Sequence, residues 1–168
     1  KLNYRVTYLE MNKKPSFDWP KNLKHKLSIL LAESFPVWYF LFFYKQVGKN
    51  YYWTDWLRKS EDEIDEFVND KNVLLYTLIK DGWPVGFYML DYRKKDICDL
   101  SFFGLVDEVI GIGLGKYLLQ TAILTAWDSK KIKKLTVNTC SLDHKSAIYL
   151  YQKYGFTPVK YKDLEKTV

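Results

Sequence analysis

Hydrophobic and polar positions recur along this chain with periods that name the elements they build. Tyr4–Glu10 (YRVTYLE) alternates, as a half-buried strand requires. Residues 12–22 carry two prolines among polar residues and read as a loop. Leu23–Val47 reads as helix in two pieces broken near Pro36, the second apolar nearly all round. Ser60 and Glu63 form a capping-box pattern ahead of Ile64, Phe67 and Val68, which predicts a short amphipathic helix to about Asn69.

The clearest β signal follows. Val73–Lys80 and Trp83–Tyr92 flank Asp81-Gly82, a dipeptide suited to the positive φ angles of a tight hairpin. A turn over Arg93–Asp96 leads to a third strand, Ile97–Val106. Beyond a glycine-rich turn, Leu114–Trp127 has helical period, with Leu114, Leu118, Leu119, Ala122, Ile123 and Ala126 apolar. Lys134–Cys140 reads as a strand, His144–Tyr154 as a helix and Phe156–Lys160 as a last short strand. The order β, αα, βββ, α, β, α, β defines a mixed α+β layout whose later half resembles a parallel crossover. No repeat or linker divides the chain, so residues 1–168 read as one domain.

Composition sharpens this picture in three places. Apolar residues at 48% and charged residues at 27% exclude a disordered or collagen-like chain. Two cysteines, Cys98 and Cys140, are too few for a disulfide scaffold and point to a reducing, cytoplasmic setting. The most apolar run, Phe35–Tyr44, has about half the roughly 20 residues of a membrane span. A net charge of +6 admits anionic partners. Nearly all of it is lysine, however, with arginine only at 5, 58 and 93 and no clustered basic face, which disfavours nucleic acid.

One segment carries candidate chemistry. Ile110-Gly111-Ile112-Gly113-Leu114-Gly115-Lys116 joins a strand to a helix. Alternating glycines at a helix N-terminus let backbone N–H groups approach an anion closely; a tight turn with close packing is the plainer reading. A P-loop needs four residues between its glycines and Ser or Thr after the lysine, whereas Tyr117 follows Lys116. A dinucleotide fingerprint needs Gly-x-Gly-x-x-Gly and opens a βαβ unit, and this turn does neither.

The turn does resemble that of the GNAT superfamily of N-acetyltransferases, an Arg/Gln-x-x-Gly-x-Gly/Ala segment that holds acetyl-CoA. Gly113 and Gly115 match its two glycines, and Gly111 one that many members add. Downstream, Ala147, Tyr151, Gly155 and Phe156 fall in register with the family's Asn-x-x-Ala-x-x-x-Tyr-x-x-x-Gly-Phe. The resemblance is firm over about residues 73–160. It implies a central mixed, mostly antiparallel sheet with splayed fourth and fifth strands and helices on both faces. It also implies acetyl-CoA as acetyl donor, held by 110–116 and His144, with the backbone of Phe103 and Leu105 along the donor's arm. Two positions depart from the pattern: Ile110 replaces Arg/Gln and His144 replaces Asn.

Acyl transfer to an amine needs a neutral amine, a stabilised oxyanion and a protonated leaving thiolate. The resemblance makes Tyr151 the candidate proton donor to sulfur and Asp99 the candidate general base. Asp143 is an alternative base but, directly before a helix, reads better as a cap, and Glu108 reads as solvent-facing. Residues 23–69 form the implied acceptor side. Within its aromatic loop Asn50–Trp56, Tyr52 and Trp53 would line the acceptor site and Asp55 would meet a cationic amine. Cys98, Cys140 and His144 fall short of a metal set, and Cys140 reads as an inert thiol rather than the nucleophile of a Cys–His pair. The expected activity is direct acetyl transfer to a small-molecule or peptide amine by a monomer or homodimer, without metal, nucleic acid or membrane. The rival readings are a CoA-binding regulatory module without turnover and, last, a lysine-rich nucleic-acid binder.

Overall fold

The computed structural model describes every residue except Leu23. Seven strands form one sheet in the order β2-β3-β4-β5-β6-β1-β7. They span Leu2–Met11 (β1), Leu27–Ala32 (β2), Val73–Lys80 (β3), Trp83–Asp91 (β4), Ile97–Leu105 (β5), Lys134–Cys140 (β6) and Thr157–Lys166 (β7). Among the described residues four α-helices accompany them: α1 (Val37–Gly48), α2 (Glu61–Val68), α3 (Leu114–Ser129) and α4 (Ala147–Lys153). Every neighbouring strand pair is antiparallel except β5–β6. The α+β architecture with a mixed, mostly antiparallel sheet is the expected one.

The β3–β4 hairpin turns through Asp81 and Gly82, both at positive φ (52° and 89°), as their dipeptide predicts. Helices cover both faces. On one, α1 lays Phe43 over Phe87 (ring centroids 5.0 Å) and Phe40 against Phe102 (5.2 Å). Phe40, Phe43 and Phe87 are fully buried, each stabilising the fold by about 1.5–3 kcal/mol. On the opposite face α3 buries Leu114, Leu118, Leu119, Ala122, Ile123 and Ala126, the stripe read from its period. There Tyr88 Oη and Thr125 Oγ1 are hydrogen-bonded at 3.0 Å. The capping box on α2 forms as expected: Glu63 N–H donates to Ser60 Oγ, and Ser60 N–H donates to the Glu63 carboxylate.

Three local expectations are corrected. Residues 27–32 (LSILLA) form β2, not helix, because a short apolar run satisfies either period and here its backbone pairs with β3. Leu23, where that helix was to begin, lies outside the described residues. The last strand runs to Lys166 rather than Lys160; its polar residues gave no alternation, and pairing with β1 sustains it. The helix expected from His144 starts at Ala147 with Ser146 as N-cap, so Asp143 is not its cap. The N-terminal strand β1 sits between β6 and β7, joining the end of the chain to its beginning.

The sheet opens at one place. β5 and β6 pair only at Ile97↔Lys134, Cys98↔Leu135 and Asp99↔Thr136. Immediately beyond, the β4–β5 register slips between Leu90↔Leu100 and Met89↔Phe102, leaving Ser101 as an extra residue. Such a bulge bends its strand, and here the bent half of β5 stands clear of β6.

Candidate active site

The opening between β5 and β6 is a cavity of about 370 Å³. Its walls come from the bent half of β5, from Val137–Thr139 of β6, from α4, from the glycine turn and from the loop after α1. Val106 N–H donates to Val85 O, 2.9 Å away. Alternate residues of an antiparallel pair turn their backbone groups to the same edge, so those of Phe103 and Leu105 face the gap. Phe103 and Leu105 both line the cavity.

At one end lies the glycine turn. Gly111 and Gly113 take φ of +91° and +87°, where a side chain would be strained. No loop or cap hydrogen bond among the described residues uses the N–H groups of residues 111–116. They converge at the N-terminus of the 16-residue α3, which adds partial positive charge. Gly115 is different. It is helical, and a Cβ there would meet nothing nearer than Leu150 Cδ2 at 4.0 Å. Nothing within the chain requires glycine at this position, and it costs the helix about 1 kcal/mol against alanine. Its bare Cα borders the cavity, leaving room for ligand atoms against the backbone. Ile110, Gly111 and Gly115 line the cavity; Ile112, Gly113, Leu114 and Lys116 do not. Leu114 is buried, whereas Lys116 is exposed and forms no ion pair among the described residues.

Tyr151 borders the cavity from α4, its ring edge-on to Phe103 (6.1 Å) and Phe156 (5.8 Å). Burial, reinforced by the charges of Asp143 and Asp99, pushes its phenol well above the usual tyrosine range, so it keeps its proton. Asp99 sits at the fork of β5 and β6 and does not line the cavity. Its carboxylate accepts from Thr136 Oγ1 (2.6 Å) and from Ser101 Oγ (3.0 Å), and Ser101 does line the cavity. Burial raises the Asp99 carboxyl above the usual range, against the lowering effect of those two bonds. His144 lines the cavity with Nδ1 accepting from Ser146 N–H (3.2 Å); when neutral it therefore carries its proton on Nε2.

Asp143 gains a role its position in the sequence concealed. It borders the cavity, and its carboxylate accepts from Thr139 Oγ1 (2.7 Å), Cys140 N–H (2.9 Å) and Trp53 Nε1–H (3.0 Å). Trp53 thereby hangs over the cavity, its ring against Tyr44 (5.5 Å) and Phe102 (6.0 Å). Tyr51 lines it too. Tyr52 and Asp55 do not: Lys166 Nζ donates to Tyr52 O (2.9 Å) and lies 3.7 Å from Asp55. Of the three acceptor-side residues singled out, the structure brings only Trp53 to the cavity. Cys98 is buried, its thiol pushed up to about 12, and burial also raises the half-buried Cys140; neither is poised as a nucleophile.

A forked parallel pair with a glycine-lined helix N-terminus at the end of one strand defines an open, anion-accepting cleft at the fork of a mixed sheet. Residues 32–156 match the family model described as "Acetyltransferase (GNAT) family", and the chain belongs to that family. A GNAT acetyltransferase from Elizabethkingia anophelis with acetyl-CoA bound is similar in structure (TM-score 0.58, 22% identity, 80% of this chain and 78% of that one). So is a GCN5-related N-acetyltransferase from Kribbella flavida (TM-score 0.62, 13% identity, 92% and 54%). An aminoglycoside acetyltransferase from an uncultured soil metagenomic sample, solved with sisomicin, also superposes (TM-score 0.56, 14% identity, 76% and 84%). The chain spans only 60% of a Staphylococcus epidermidis protein of unknown function that it resembles at TM-score 0.64, 12% identity and 96% of its own length. No curated protein matches it.

Proposed function

We propose that this chain transfers an acetyl group from acetyl-CoA directly to a primary amine, with both held at once in the β5–β6 cavity. The observation that carries the reading is the cavity itself. One wall offers free strand edge, one end offers uncommitted helix N-terminal amides, and a protonated phenol borders it. The residues suit the donor. The amides of 111–116 and Lys116 would meet its phosphates, and the edges of Phe103, Leu105 and His144 its amide-bearing arm. Bound there, acetyl-CoA supplies an activated acyl carbon and a thiolate leaving group.

The chain's own groups then divide the remaining work. An N–H of Phe103 or Leu105 stabilises negative charge on an oxygen placed in the gap. Tyr151, kept protonated by its surroundings, donates to the departing sulfur. Asp99 lies one hydrogen bond behind the cavity surface, so a proton from the amine reaches it through Ser101. Ile110 contributes no polar side chain, which leaves the anion to the backbone amides in either reading, and the phenol and carboxylate around the cavity are what support turnover over a binding module.

Release of CoA thiol in the presence of an amine panel tests the proposal. Tyr151→Phe should lower kcat about 100-fold and leave acetyl-CoA affinity within about twofold. Unchanged kcat would remove Tyr151 from the mechanism. CoA binding without acetylation of any amine would favour the regulatory reading.

A further inference from the structure

We infer that the acceptor is a primary amine carried on an apolar, aromatic-sized body, and not a polycation. This rests on the acetyl-transfer reading above and names its substrate class. The sheet divides the cavity into two sides. Phe103, Gly115 and Tyr151 stand on the side of α3 and α4, where the donor would lie. Val47, Tyr51, Trp53 and Phe102 stand on the α1 side, which is left for the acceptor.

That acceptor side is aromatic and borders a single carboxylate. Asp143 is the sole carboxylate among the described lining residues, and its oxygens already receive three hydrogen bonds. The nearby carboxylates are engaged too. Asp99 accepts from Thr136 and Ser101, and Asp107 accepts from Asn50 Nδ2 (2.7 Å) with Lys49 at 3.7 Å. Asp55 faces Lys166. Glu108 is exposed and lies off the cavity.

An amine must shed its proton to react, so the reacting nitrogen needs no permanent counter-charge, only a proton acceptor. Every further ammonium of a polyamine or aminoglycoside would need its own anionic partner or would be desolvated at a cost of several kcal/mol. The cavity offers only one, Asp143, too few for a polyamine or an aminoglycoside, and a net charge of +6 repels a polycation before it arrives. The faces of Tyr51, Trp53 and Phe102 instead reward an apolar or aromatic body with buried area and ring contacts.

The test compares 2-phenylethylamine with spermidine as acceptors for the full chain at saturating acetyl-CoA, together with the variant Tyr51→Glu. The unaltered chain should favour 2-phenylethylamine in kcat/KM by at least about tenfold. Tyr51→Glu adds a carboxylate to the acceptor side and should shrink or reverse that ratio; both acceptors are compared at saturating acetyl-CoA, so any change in donor affinity through His144, whose ring lies 6.3 Å from that of Tyr51, cancels from it. Equal or better use of spermidine by the unaltered chain would overturn the acceptor class and leave acetyl transfer standing. Acetyl-CoA bound with neither amine acetylated, nor any of the wider panel, would overturn both.

Discussion

The α3–α4 side and the α1 side of the cavity, which we propose as donor side and acceptor side, are built by different means. On the donor side the working groups are backbone amides, set by positive φ at Gly111 and Gly113 and by the bulge at Ser101. On the acceptor side the loop after α1 is fastened by side chains from distant parts of the chain. Asp107 holds Asn50, Asp143 holds Trp53, and Lys166 holds the Tyr52 carbonyl, across 57, 90 and 114 positions of sequence. A backbone site tolerates many side chains and fails when its glycines acquire bulk. A site fastened by side chains fails one tie at a time.

The sharpest way to break that contrast is Gly115→Leu. The position is helical and open, so the variant should fold, yet its side chain would occupy the space bordering the freed amides. Acetyl-CoA affinity should fall by about 100-fold or more, roughly 3 kcal/mol, in calorimetry. Unfolding midpoints should stay level or rise slightly, since glycine is the poorer helix former. Affinity within a fewfold of the original would mean that the donor does not lie on this turn.

This asymmetry also explains what was legible beforehand. Gly115, Tyr151 and Phe103, singled out by the family resemblance, all border the cavity, because the motifs that carry the resemblance are short-range spacings, and these set turn geometry and helix register. β2 was misread because LSILLA satisfies two periods, and its partner strand, not its own pattern, decides between them. Asp143 was read as a cap because a carboxylate before a helix often is one. What makes it matter is Trp53, 90 residues earlier. No local pattern encodes that pairing, nor the diversion of Asp55 to Lys166.

Asp143→Ala tests the acceptor side in the same spirit. It leaves Trp53 Nε1–H, Thr139 Oγ1 and Cys140 N–H without their acceptor, at about 1–3 kcal/mol in denaturant unfolding. Freed from its tie, Trp53 should raise the acceptor KM about tenfold and change acetyl-CoA affinity little. An equal loss on both sides would show that the two walls act as one unit.

Asp99 stands at the fork between the sides, and its pH behaviour separates a base from a structural acid. Burial raises its carboxyl above the usual 3.8. A raised carboxyl stabilises the folded chain most when protonated. Its contribution is full below the unfolded-chain value and is lost as pH rises through the folded value. Asp99→Asn should flatten that decline in stability. If Asp99 also receives the amine's proton through Ser101, kcat/KM of the unaltered chain falls as pH drops through the same raised value. The variant should then lose that acid limb along with at least about tenfold in rate. A retained limb would assign the base to a group other than Asp99.

The smallest expected effect concerns Asp55, which sequence reasoning set against a cationic acceptor. Its carboxylate is 66% exposed and 3.7 Å from Lys166 Nζ, on the part of the loop that turns away from the cavity. An ion pair so exposed contributes at most about 1 kcal/mol, less as salt rises. Asp55→Asn should therefore move acceptor KM and kcat by less than about twofold. Lys166→Met, which also removes the donor to the Tyr52 carbonyl from a side chain only 12% exposed, should disturb KM more. The two variants together ask whether this end of the loop matters through its charge or through its anchoring. If Asp55→Asn instead shifted KM tenfold, Asp55 would have to reach the acceptor when the site fills. The division between a wall of aromatic rings and an outer rim of engaged carboxylates would then fail.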